Sequence, residues 1–258
     1  MPGPDLQGVR VLVTRPAAQA DRLASAINQL GGQPISLPLL EIMPLPPGPT
    51  ATQTLTELAQ AAALIFVSAN AVACSLAYLP KIPSSLLVGA IGQATAERLQ
   101  AAGIPPQLVP AQFDSEGFLA LAQVQDLHNK TVVIVRGEGG RDKLGESLRA
   151  RGARLRYLEV YRRECPHWQQ ADVHSALRAD VITVTSSEAL DNLARLARLP
   201  GGDALRAKPL LVFHERIAGR ARELGFTLKP VVTTQPSDEA LLKALVQWAH
   251  EQKGMEHA

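Results

Sequence analysis

The sequence predicts an α/β protein built from two similar halves, and three observations predict it. Three strand-turn-helix units recur in the same order along the chain. Short aliphatic runs of strand length alternate with apolar stripes at helical spacing. The length, 258 residues, is long for one open-sheet domain and comfortable for two, each able to bury its own core.

The first unit, VRVLVTRPAAQADRLASAINQLGG, returns as KTVVIVRGEGGRDKLGESLRARGA, with Arg15 against Arg136, Leu23 against Leu144 and Gly31 against Gly152 at one offset of 121 residues. LIFVSANAV returns as VITVTSSEAL, with Ser68 against Ser186. VGAIGQATAERLQAAG returns as LVFHERIAGRARELG, with Ala96 against Ala218 and Gly103 against Gly225. A period this long excludes a solenoid and indicates duplication of a small α/β half.

In chain order, Val9 to Val13 reads as a buried parallel strand. Pro16 then suits a first helical position, Leu23, Ile27 and Leu30 form the core stripe, and Gly31 suits the helix end. SLPLLEIMPLPPGP breaks the pattern with an extended Leu40-Glu41-Ile42. Its counterpart is LRYLEVYRRECP, with Leu158-Glu159-Val160, so the two read as extended crossings between domains. Ser68 suits the cap of a second helix whose stripe is Val72, Leu76 and Leu79, and Gly103 closes the third. In the second copy Thr131 to Val135 and Val181 to Val184 are strands, Gly152 and Gly225 end helices, and Ser186 or Ser187 caps. Ile217, Ala221 and Leu224 face the core. Ser237 caps a closing helix with Leu241, Leu245 and Trp248 on one face, and the tail EQKGMEHA is expected to fray.

Composition narrows the function classes. A formal charge of +2 and 19% charged residues argue against nucleic acid while leaving a polyanionic small molecule open. Cys74 and Cys165 stand far apart without metal-ligand spacing, and the six histidines form no metal pair, so no metal is expected. With no apolar signal core and no spanning run, the expectation is a cytoplasmic protein with no membrane partner.

Right-handed crossovers gather the turns after the strands at the carboxyl edges of the sheets, where open α/β folds bind ligands. VRGEGGRDK is glycine-rich, but Gly137, Gly139 and Gly140 lack the dinucleotide spacing and no triphosphate loop follows. These glycines serve either a tight turn or anion capture by backbone amides. Ser68, Asn70, Ser186 and Ser187 serve either as caps or as anion sites, and their recurrence favours the second use. His214, which matches Gly92 of the other copy, is open between capping and ligand contact. Tyr161 is open between packed aromatic and proton donor.

These residues resemble the uroporphyrinogen-III synthase family. The resemblance covers nearly the whole chain and rests on VLVTRP, LIFVSANAV, AIGQATAERLQAAG, VVIVRGEGGRDKL, the Tyr of LEVY, VTSSEAL and HERIAGRARELG in that order. It implies two similar parallel-sheet domains, flavodoxin- or Rossmann-like, joined by a two-stranded β-ladder. Residues 1–36 with 164–258 would form one domain, 42–156 the other, and 37–41 and 157–163 the connecting strands. The residues themselves leave open whether the domains are interleaved in this way or sequential.

The implied reaction is cyclisation of hydroxymethylbilane, a linear polycarboxylate tetrapyrrole, to uroporphyrinogen III with inversion of ring D and loss of water. No cofactor is implied, and a monomer is expected. Thr14, Arg15, Ser68, Ala69, Asn70, Gly92, Gln93 and Thr95 would line the site with Arg136, Gly137, Glu138 and Gly139. Ser186, Ser187, Glu188, His214, Glu215, Arg216 and Ile217 would complete it, largely through backbone amides, with Arg15, Arg136 and Arg216 adding charge. Tyr161 would assist hydroxyl departure. HERI departs from the small turn of the other copy, which leaves its side-chain contacts open. An open cleft closing on the substrate is expected of such a pair. A non-catalytic tetrapyrrole or anion sensor on the same scaffold is the rival, disfavoured because no DNA-binding segment is appended. A nucleotide-sugar or methyl-transfer enzyme is disfavoured by the glycine spacing.

Overall fold

The computed structural model describes residues 5–79, 81–125, 127–139 and 142–256. The chain opens with β1 (Arg10–Val13), α1 (Ala17–Gln29), β2 (Gln33–Ser36), β3 (Glu41–Pro44) and α2 (Pro49–Glu57). It continues with β4 (Ala63–Phe66), α3 (Ala69–Ser75), β5 (Leu87–Ala90), α4 (Gln93–Ala101), α5 (Ser115–Leu119) and α6 (Ala122–Gln125). The second copy supplies β6 (Thr131–Gly137), α7 (Lys143–Ala150), β7 (Arg154–Glu164), α8 (Gln170–Leu177), β8 (Val181–Val184) and α9 (Ser187–Leu196). β9 (Leu210–Val212), α10 (Glu215–Glu223), β10 (Val231–Val232) and α11 (Asp238–Glu256) close it.

Two compact units result. One holds the chain up to Glu41 and again from Glu164, and the other holds Ile42–Arg163. The first carries a five-stranded sheet in the order β10-β9-β8-β1-β2, parallel throughout. The second has the order β3-β7-β6-β4-β5, with β7-β6-β4-β5 parallel. Compared from the middle outwards, β9-β8-β1-β2 corresponds to β5-β4-β6-β7. The sequence repeat pairs these same strands, so each sheet takes its two halves from opposite copies. Even the next position corresponds, since an isolated parallel bridge from Gly89 to Leu108 stands where β10 flanks β9.

Burial follows from the pleat. In the second unit Leu64, Phe66, Val133 and Val135 feed one apolar layer, and Ala63, Ile65, Val132 and Ile134 feed the other. All eight are at most 2% exposed, as a parallel sheet covered on both faces requires. In the first unit α1 contributes Leu23 and Ile27, and α11 contributes Leu241, Leu245 and Trp248. The helix-end glycines are explained by backbone conformation: Gly31, Gly103, Gly152 and Gly225 all have φ between +74° and +84°, the left-handed region that favours glycine after a helix.

Several local expectations shift. Pro16 is extended (φ −49°, ψ 142°) and precedes α1 instead of opening it. Leu76, the C-cap of α3, is 38% exposed instead of continuing the core stripe. Ser186, not Ser187, caps α9. The tail expected to fray carries α11 as far as Glu256. The two extended crossings also differ from one another. β7 runs unbroken for 11 residues, whereas its counterpart in the first copy is split into β2 and β3, in different sheets. Pro38, lacking an N–H, interrupts the ladder there, and Leu37, Leu39 and Leu40 join the core of the first unit instead of forming a strand.

Candidate functional site

In each sheet the strand order reverses between two neighbours: β1 and β8 in the first unit, β4 and β6 in the second. Parallel strands all end on one edge, and the crevice outside their carboxyl ends at such a reversal is the usual ligand site of open α/β sheets. The turns singled out in the sequence follow these strands and their neighbours.

In the first unit Thr14 and Arg15 follow β1, Ser186, Ser187 and Glu188 open α9 after β8, and His214 to Ile217 open α10 after β9. The Thr14 hydroxyl is buried and donates to the Thr183 carbonyl at 2.6 Å, joining β1 to β8. The Ser186 hydroxyl accepts the Ala189 N–H at 3.1 Å. Ile217 is fully buried, and its N–H already donates to the His214 carbonyl at 2.8 Å. His214, Glu215 and Arg216 are exposed, and His214 precedes α10 without capping it by its side chain. The amides of Glu215 and Arg216, which open that helix ahead of the bonded Ile217, have no acceptor within it. Among the described residues two buried polar atoms of this edge lack a hydrogen-bond partner, Arg15 Nε and Ser187 Oγ.

In the second unit Ser68, Ala69 and Asn70 follow β4, Gly92 and Gln93 follow β5, and Arg136 to Gly139 follow or end β6. Thr95 is buried, while Gln93, Glu138 and Gly139 are exposed. Gly140 lies outside the described residues. Ser68 accepts the Ala71 N–H at 3.1 Å, and its oxygen lies 3.2 Å from the Tyr161 hydroxyl. Tyr161, on β7, is 2% exposed. Its carbonyl accepts the Glu138 N–H at 2.8 Å. A Cβ on Gly137 would stand 2.5 Å from its ring, so the glycine admits the aromatic against β6. Tyr161, Gly137 and Arg136 border a pocket of about 350 Å³, with Asp142, Lys143 and Arg163 also on its wall.

The duplicated arginines are held alike by unlike partners. Arg15 forms a 2.5 Å ion pair with Asp238 and lies 5.4 Å from the centre of the Phe213 ring. Arg136 lies 5.2 Å from the Tyr157 ring centre, with Nη1 3.5 Å from Asp142 and Nε 3.7 Å from Glu159. Asp142 is in turn bound by the Tyr157 hydroxyl, at 2.7 and 2.8 Å to its two oxygens, and by Arg149 at 3.0 Å. Burial, then the bond to Asp142, pushes the Tyr157 hydroxyl up to about 12. Burial works to raise Asp142, but the bonds from Tyr157 and Arg149 outweigh it and hold the carboxyl below its ordinary value.

Reading the sequence missed this Asp142-Tyr157-Arg149 cluster, because Tyr157 joins it from β7 while Asp142 and Arg149 stand at opposite ends of α7. One signal was present. Gly145 sits inside α7, where a Cβ would lie 2.2 Å from the Tyr157 hydroxyl and 2.3 Å from Asp142, and a glycine within a helical pattern marks close packing.

A family model for uroporphyrinogen-III synthase HemD matches residues 21–243. The uroporphyrinogen-III synthase of Escherichia coli (strain K12) is 33% identical over 247 residues, 91% of this chain and 99% of that protein. That of Salmonella typhimurium is 34% identical over the same shares. Among solved structures, the Helicobacter pylori uroporphyrinogen-III synthetase matches 94% of this chain and all of its own, with TM-score 0.64 at 18% identity. A mutant uroporphyrinogen III synthase from Thermus thermophilus covers 95% of this chain and 100% of its own, with TM-score 0.58 at 20% identity, so both support the parallel α/β fold. Sequence and fold agree along almost the entire length, and the chain belongs to the uroporphyrinogen-III synthase family.

Proposed function

We propose that this chain closes hydroxymethylbilane to uroporphyrinogen III, inverting ring D and releasing water. The observation that carries the reading is the whole-length likeness to the synthases, 33% identity over 91% of the chain. The placement of Tyr161 among the turns at the carboxyl edge gives it a chemical focus.

The hydroxymethyl C–O bond breaks as its oxygen takes a proton and leaves as water, producing an azafulvene cation. The substituted α-carbon of ring D attacks that cation to form a spiro pyrrolenine. Fragmentation of the bond between ring D and its former neighbour, then reclosure at the other α-carbon and loss of a proton, delivers the inverted ring. Tyr161 is the donor to the departing hydroxyl. Ser68, whose oxygen accepts the Ala71 N–H and lies 3.2 Å from the phenol oxygen, donates its own O–H to that oxygen and leaves the phenol proton for the departing hydroxyl.

Substrate carboxylates are received by first-turn amides and by Arg15, Arg136 and Arg216. Selectivity costs little energy, since a hundredfold preference for the spiro route needs roughly 2.7 kcal/mol of barrier difference. A few positioned donors supply that amount, so neither a strong acid nor a prosthetic group enters this scheme.

Incubation with freshly generated hydroxymethylbilane, followed by separation of the isomeric products, tests the reading. Uroporphyrinogen III is expected in excess. Accumulation of only the uninverted isomer at the spontaneous rate refutes it and favours a sensor on the same scaffold.

A further inference from the structure

We infer that a one-residue bulge in β7, at Val160, and the glycine across the ladder from it, Gly137, are the positioning residues of Tyr161, turning its phenol into the apolar layer whose helix Ser68 caps. This rests on the proposed function, in which Tyr161 is the proton donor.

The ladder between β6 and β7 carries the bulge. Partners keep one constant spacing from Thr131 opposite Arg154 to Arg136 opposite Glu159, and then Gly137 stands opposite Tyr161, one residue further along β7. Val160 is the extra residue. Bulges are rare in parallel pairs, and next to active sites they re-aim a side chain. Both carbonyls at this one are bonded: Leu45 donates to Val160 at 2.9 Å and Glu138 donates to Tyr161 at 2.8 Å.

Alternation shows what the extra residue achieves. Along β7, Leu155 and Tyr157 pack against one apolar layer, whereas Leu158 and Val160 belong to the other. Strict alternation would send Tyr161 to the side of Leu155 and Tyr157. It lies instead with Leu158 and Val160, in the layer that α3 enters through Ala71 and Val72. Ser68 caps that helix, and its oxygen is 3.2 Å from the Tyr161 hydroxyl.

The same register brings the ring against Gly137, the last residue of β6. A Cβ there would stand 2.5 Å from Cε2 and Cζ and 2.9 Å from the phenol oxygen, so it would displace the reacting end of the side chain. The duplication supplies an internal comparison. At the offset of 121 residues that pairs Arg15 with Arg136, Pro16 takes the place of Gly137 and Leu40 the place of Tyr161. Glycine and phenol occur together in one copy, and the other copy has neither.

The test is a double-mutant cycle on the full chain, reading kcat and KM for uroporphyrinogen III from freshly generated hydroxymethylbilane, with melting curves alongside. Gly137→Ala is expected to lower kcat about tenfold with KM within about twofold, as a small misplacement of the donor would. In the Tyr161→Phe background the ring and its clash remain while the hydroxyl is gone. There the same change should lower the thermal midpoint as before and leave kcat where Tyr161→Phe set it. Val160→Ala loosens the fully buried bulge instead of crowding it. It should give the same pattern, and it carries the test if Gly137→Ala does not fold.

Wild-type kcat in folded Gly137→Ala, or an equal further loss of kcat in the Tyr161→Phe background, overturns the inference. Wild-type kcat in Tyr161→Phe itself also overturns it, and in that case formation of uroporphyrinogen III by the wild type leaves the proposed cyclisation standing. If the wild type yields only the uninverted isomer, the proposed function fails and takes this inference with it.

Discussion

At the scale of single residues, Tyr161 is the proton donor proposed above. Its ring is buried against Gly137 and its hydroxyl meets Ser68, so a packed aromatic and a directed O–H coexist in one side chain. Tyr161→Phe keeps the packing and removes the donor. It is expected to lower kcat by about a hundredfold, the low end of what a positioned proton donor contributes, with the thermal midpoint nearly unchanged. Steady-state kinetics alongside a melting curve checks this, and wild-type kcat in that variant removes Tyr161 from the mechanism. Ser68→Ala is expected to act twice. Losing the cap on the Ala71 amide costs about 1 kcal/mol of stability, and the freed phenol loses its fixed direction, so kcat falls as well. Ser186→Ala, on the corresponding cap of the other unit, should lose similar stability without the drop in kcat through Tyr161, because its hydroxyl is bonded to Ala189. Equal kcat losses in the two variants would contradict the assignment.

At the scale of elements, local signals were legible wherever one residue's backbone chemistry decided the outcome. The glycines after α1, α4, α7 and α10 could be read directly, since a left-handed residue is needed at each. Gly103 and Gly152 make that quantitative. Both have positive φ, but a Cβ at Gly103 meets nothing within 4 Å, whereas at Gly152 it meets the His128 ring at 2.2 Å. Gly103→Ala is expected to cost about 1 kcal/mol, the conformational term alone, and Gly152→Ala distinctly more, as read from urea midpoints. Other signals were not legible because the decision was made elsewhere in the chain. Leu76 continues an apolar stripe in sequence, yet at the C-cap of α3 it is 38% exposed. The Asp142-Tyr157-Arg149 cluster joins both ends of α7 to β7, and only its glycine left a mark. Between β1 and β8, Arg10 donates to Asp180 from its backbone and its side chain, at 2.8 and 2.6 Å. Burial works to raise Asp180, but those bonds prevail and hold it below its ordinary 3.8. A depressed carboxylate stabilises the fold above its unfolded pKa, and that contribution is lost as pH falls through the folded value. Asp180→Asn should therefore lower the urea midpoint at pH 7, and its difference from wild type should shrink once the pH drops below about 3.8. A pH-independent difference would mean that Asp180 acts by shape and not by charge.

At the scale of the whole molecule, the duplication was legible from Arg15, Arg136, Gly31 and Gly152 at a common offset, and the sheet orders bear the same correspondence. The exchange of halves was not legible from the repeat itself. Two sequential domains would give identical spacings, whereas in the structure β1 pairs with β8 of the other copy, where Arg10 bonds Asp180 from 170 residues away. That connectivity has a consequence for folding. The unit from Ile42 to Arg163 is one continuous segment holding β4, β5, β6 and nearly all of β7, together with both of its apolar layers. The other unit is not continuous. Its sheet runs β10-β9-β8-β1-β2, so the chain from Glu164 onward carries three strands and leaves β8 with an unpaired edge at the point where the core should continue. Val11, Leu12 and Val13, all fully buried, would be missing, and α11 and α9 would face a half-built layer. An exposed apolar strand edge of that kind promotes aggregation. Residues 42–163 expressed alone are therefore expected to unfold cooperatively in urea, whereas residues 164–258 alone are expected to aggregate or to lack a cooperative transition. Joining residues 1–41 to 164–258 through a short flexible linker should restore one, because it returns β1 to the middle of its sheet. A cooperative transition in 164–258 without β1 would show that the interleaved order is not what holds this sheet together.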